Sequence, residues 1–79
     1  MFSSSIHKVI LENSQRKALL TFFYSDEEKA MEIQRKCQKG ISNKNYDIVI
    51  CDDSGESILV NLSHVFLVRV ETEEGLLIN

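Results

Sequence analysis

Seventy-nine residues, 43% of them apolar and 27% charged, with a net charge of −3, suffice for one small domain spanning residues 1–79. Such a composition excludes a disordered or low-complexity chain. The acidic balance argues against a dedicated nucleic-acid binder.

Ile6-His7-Lys8-Val9-Ile10-Leu11-Glu12 is rich in β-branched residues and predicts a first strand. The polar break Asn13-Ser14-Gln15-Arg16 has hairpin length, and Lys17–Tyr24 follows as a second, antiparallel strand. Residues 25–40 predict the single helix. Ser25 and Glu28 have the spacing of a capping box, and Ala30, Ile33 and Cys37 recur at helical intervals. Asp26 to Glu28 place negative charge at the helix start, while Arg35, Lys36 and Lys39 place positive charge near its end. Gly40 is the expected left-handed stop.

Beyond the connector at residues 42–45, Tyr46–Cys51 predicts a third strand. Asp52-Asp53-Ser54-Gly55 reads as a tight turn and Glu56–Asn61 as a fourth strand. Leu62-Ser63-His64 interrupts the pattern before a fifth strand at Val65–Glu71, which Thr72–Gly75 closes, and Leu76-Leu77-Ile78 forms an apolar tail. The expected fold is therefore α+β, in the order β-β-α-β-β-β: a single antiparallel-rich sheet, strongly curved or flat, with one helix packed on one face.

Alternation of side chains sorts the strands onto two faces. One set carries no charge and is the expected helix-covered side: Ala18, Leu20, Phe22, Tyr24, Tyr46, Ile48, Ile50, Ile58, Val60, Leu62, Phe66, Val68 and Val70. The other mixes apolar and polar groups, among them Leu19, Thr21, Phe23, Leu59, Asn61, Leu67 and Arg69, with Asp47, Val49, Cys51 and Val65. Five strands make a sheet about 24 Å wide and about 23 Å long. One helix of 14 residues, about 21 Å by 10 Å, covers less than half of one such face. The surplus apolar surface must close on itself by curvature or meet another chain. Those first seven mixed-face residues are the candidate interface, and a homodimer or another protein is the expected partner.

Signals for chemistry are sparse. Only three glycines occur, at 40, 55 and 75, so the chain has no phosphate-cradling or nucleophile-elbow motif. Cys37 and Cys51 lack the close ligand spacing of a zinc site and read as buried thiols of a reducing compartment. Asp52 and Asp53 are favoured by turn formation alone, and His7 and His64 read as an edge and a turn residue. Arg69 reads as a partner for a carboxylate, Asp47 being the candidate mate.

These readings give no catalytic residue, no metal ligand and no cofactor. An enzyme built on His64 with Asp52 or Asp53 ranks last. The sequence start lacks the charged region of a signal peptide, and no apolar run reaches the ~20 residues of a membrane span, so the expected setting is the cytoplasm and no membrane. Residues 29–44 nevertheless carry a net +4, balanced by −6 over residues 45–79. Arg35, Lys36, Lys39 and Lys44 are therefore the alternative contacts, for RNA or DNA.

Overall fold

The computed structural model describes residues 3–76. Five strands and one helix follow one another as β1 (Ser3–Glu12), β2 (Ala18–Tyr24), α1 (Glu27–Ser42), β3 (Asp47–Cys51), β4 (Ser57–Asn61) and β5 (Leu67–Leu76). The α+β class and the element order are those expected. The strands form two sheets rather than one: an antiparallel three-stranded sheet in the order β2-β1-β5, and an antiparallel β3-β4 hairpin.

The first hairpin is set by Asn13. Its Oδ1 accepts from the N–H groups of Gln15 and Lys17 at 2.9 and 3.0 Å, and Arg16 adopts a left-handed φ of 62°. This is an Asx-stabilised turn, with the side chain standing in for a backbone acceptor. The register shifts between Leu11, opposite Leu20, and Glu12, opposite Ala18, which leaves Leu19 as the extra residue of a bulge.

Strand β1 is central and pairs along its full length with β5, from Ser3 opposite Leu76 to Glu12 opposite Leu67. Both strands outrun the sequence expectation. Thr72–Gly75 continue β5 rather than ending it, because the ladder with residues 4–7 supplies partners that local propensity does not announce. Of the apolar tail, residues 77–78 lie outside the described residues. His7, expected at an exposed edge, is buried in this central strand, with its Nδ1 2.9 Å from Thr72 Oγ1.

Helix α1 starts one residue later than the capping-box reading implies. Asp26 is the N-cap, and its Oδ1 accepts from Glu28 N–H at 3.0 Å. At the other end Gly40 does not stop the helix, which runs on through Ser42. The stop is a Schellman motif: Asn45 N–H donates to Gly40 O at 2.8 Å and Lys44 N–H to Ile41 O at 3.2 Å. Lys44, at φ 57°, fills the left-handed position. Gly40 is needed for a different reason. A Cβ there would lie 2.9 Å from Asn45 O and 3.1 Å from the Leu62 side chain.

Ala30, Ile33, Cys37 and Gly40 form the buried helix stripe. They pack with Val9, Leu11, Phe22, Tyr24 and Val68 from the larger sheet and with Ile48, Ile50, Val60, Leu62 and Val65 from the hairpin and the turn after it. Phe66 was expected inside and is 71% exposed, whereas Val65 is buried. Residues 62–65 form a turn, closed by Val65 N–H on Leu62 O, so alternation carried back from β5 is off by one there.

Candidate interaction surface

Division of the strands into two sheets also divides the expected mixed face. Leu19, Thr21 and Phe23 stand on β2 and Leu67 and Arg69 on β5, all in the larger sheet; Leu59 and Asn61 stand on β4 in the hairpin. Five of the seven thus share one sheet, and two belong to a separate surface.

On the larger sheet, the β5 side is closed by ion pairs. Arg69 Nε lies 3.3 Å from Glu12 Oε1 and its Nη1 2.9 Å from Glu71 Oε2, while Lys8 Nζ lies 2.8 Å from Glu73 Oε2. The mate of Arg69 is therefore Glu12, on the neighbouring strand, with Glu71 two residues along β5. Asp47 instead accepts from Asn61 Nδ2 at 2.8 Å. Ile10 faces outward between Thr21 and Arg69 yet is only 7% exposed, sheltered by its neighbours on both flanking strands. The Lys8 ammonium is held above its ordinary value by the hydrogen bond to Glu73.

The β2 side is open. Leu19, Leu20 and Phe23 are about half exposed, and Ala18–Tyr24 contains no charge. Leu20 was expected under the helix; it stands opposite buried Leu11 but remains about half exposed. Between this strand and the hairpin runs a cleft of about 400 Å³, lined by Leu20, Thr21, Phe22 and Phe23 on one wall and Asp52, Asp53, Ser54 and Ile58 on the other.

Two bonds tie the hairpin to the end of β2. Tyr24 Oη donates to Cys51 O at 2.9 Å, and Ser25 N–H donates to Asp53 Oδ2 at 2.7 Å. Burial first, then nearby Asp52, pushes the Tyr24 hydroxyl up to about 12, so it remains a donor at neutral pH. Asp52 Oδ1 accepts from Ser54 Oγ, Ser54 N–H and Glu56 N–H at 2.6–3.1 Å, which holds its carboxyl below the usual range. Asp53 is lowered chiefly by its bonds from Ser25. Both carboxylates are spent on the turn and its anchorage. Neither meets His64, which is exposed in the turn beyond the far end of β4, so the His64–Asp52 or His64–Asp53 pairing does not form.

The hairpin's outer face is a short ladder of cross-strand pairs: Asp47–Asn61, Val49–Leu59 and Cys51–Ser57. Cys51, expected to be buried, is exposed there, its Sγ 3.2 Å from Ser57 Oγ. Cys37 is buried as expected, and burial pushes its thiol up to about 11. Among the described residues no group of three or more His, Cys, Asp or Glu side chains gathers in metal-binding geometry.

The basic residues do not converge on one free patch. Lys36 Nζ donates to Val49 O at 2.7 Å, and Arg35 borders a surface hollow with Asp26, Glu27, Glu28 and Glu32. Lys39 and Lys44 are exposed, Lys44 in the helix-ending turn. Among the described residues no helix is long and apolar enough to cross a membrane.

In comparisons with known proteins, no family model matches the chain, and neither a curated protein nor a solved structure matches it.

Proposed function

We propose that this chain is a non-catalytic protein–protein interaction module that self-associates through its larger sheet. The observation that carries the reading is the contrast between the two sides of that sheet. Strand β5 bears Arg69, Glu71, Glu73 and Glu74, the kind of charge that keeps a free strand edge single. Strand β2 bears no charge and leaves Leu19, Leu20 and Phe23 half exposed, and its side chains form the uncharged wall of the cleft beside the hairpin. An uncharged edge of this kind is a site for strand addition. Two free thiols, one on the surface, favour a reducing compartment such as the cytoplasm.

The test is sedimentation velocity of the purified chain across the micromolar range. A sedimentation coefficient that rises with concentration to that of a dimer is the expected result; a monomer at every concentration removes the reading. RNA or DNA contact through Arg35, Lys36, Lys39 and Lys44 has weaker support, because two of the four are already engaged with, or surrounded by, groups of their own chain.

A further inference from the structure

We infer that the partner on β2 is a second copy of the same chain, paired antiparallel through β2 about a two-fold axis at Thr21. This rests on the self-association reading and specifies its strand and register. Such pairing sets Thr21 against Thr21, Leu20 against Phe22 and Leu19 against Phe23, each contact occurring twice. Leu20, half exposed in the single chain, comes opposite the largely buried Phe22, and the two three-stranded sheets join as one of six strands.

Charge selects this partner. The two ends of β2 differ in sign: Arg16 and Lys17 precede the strand, while Asp26, Asp52 and Asp53 lie at its close, three carboxylates against the single neighbouring cation Lys29. Antiparallel pairing about Thr21 brings Lys17 of one copy opposite Ser25 of the other, beside the Asp53 carboxylate that holds the Ser25 N–H. It also directs Arg16 toward Asp26. Basic end meets acidic end at both extremities. A parallel arrangement would stack like on like. The other edge of the sheet fails by the same criterion, since antiparallel self-pairing of β5 around residues 72–73 opposes Glu71 to Glu74. Seven residues a side make a small interface, so the dimer forms reversibly and with modest affinity.

Thr21 is exposed and faces itself only in this register. Thr21→Lys and Thr21→Glu each place two like charges at the axis. Each variant alone should retain its far-UV circular dichroism and sediment as a monomer, with the dimer dissociation constant raised more than about tenfold. An equimolar mixture of the two should sediment as a dimer again, because lysine then faces glutamate. Should either variant lose its fold, Lys17→Glu decides instead: it lies outside the strand, and the dimer should weaken with it.

Variants that dimerise like the parent overturn the β2 register while leaving a self-associating module intact. A mixture that stays monomeric overturns the register as well, since the charges would then act away from one another. A parent chain that never dimerises removes both the register and the reading beneath it.

Discussion

Lys44 holds φ at 57°, a left-handed backbone that costs a residue with a Cβ about 1–2 kcal/mol. Four residues earlier, Gly40 sits inside the helix, where glycine is itself less favourable than alanine by about 1 kcal/mol. Each position carries the residue that local preference would give to the other. Close approach explains Gly40: the chain folds back so that Asn45 O and Leu62 occupy the space of a side chain. Gly40→Ala should therefore lower the unfolding free energy by roughly 1–2 kcal/mol, the clash outweighing the gain in helix propensity. Lys44→Gly should raise it by about 0.5–1 kcal/mol, since glycine adopts positive φ without strain. Urea unfolding of the two variants reads both signs. From sequence alone Gly40 is the better stop, because the oxygen that excludes a Cβ arrives only with the tertiary fold.

At the scale of elements, the β3-β4 turn is built on carboxylates. The folded chain holds Asp52 and Asp53 below the ordinary value of 3.8, so they bind fewer protons folded than unfolded. Their contribution to stability is full above that value and declines as pH falls through the lowered range. The urea midpoint should drop on acidification below about 3.8. Asp53→Asn should flatten part of that drop, because it removes the ionisable group that accepts from Ser25; an unchanged acid profile in this variant would show that the anchor is idle. Element boundaries follow a related pattern of legibility. The helix stripe of Ala30, Ile33 and Cys37 and the Asp52–Gly55 turn were readable, being governed by local periodicity and turn chemistry. The extension of β5 through Thr72–Gly75 was not, since it depends on a ladder with residues some 70 positions away.

For the molecule as a whole, the α+β class and the order of elements were legible, and so was the shortage of cover over the sheet. The division into two sheets was not, because alternation assigns faces and says nothing of which strands share a ladder. Five of the seven candidate interface residues nevertheless share one sheet. Arg69 and Leu67 turn out to stand on its charge-sealed side, with the open apolar strip at Leu19, Leu20 and Phe23. Alternation places Leu20 with Phe22 on the helix-covered side, yet it stays half exposed, because the helix packs over Val9, Leu11, Phe22 and the hairpin.

The join between hairpin and larger sheet has a dynamic consequence. Beyond shared packing, two bonds, from Tyr24 Oη and from Ser25 N–H, link the end of β2 to the hairpin tip, while every β1 residue from His7 to Leu11 is laddered on both sides. The hairpin is thus the part that can peel away as a unit while the three-stranded core stays shut. Amide exchange of residues 48–50 and 58–60 should then be faster than that of residues 8–11, and Tyr24→Phe should speed the former without touching the latter. Equal rates in both groups would mean that the chain opens only all at once.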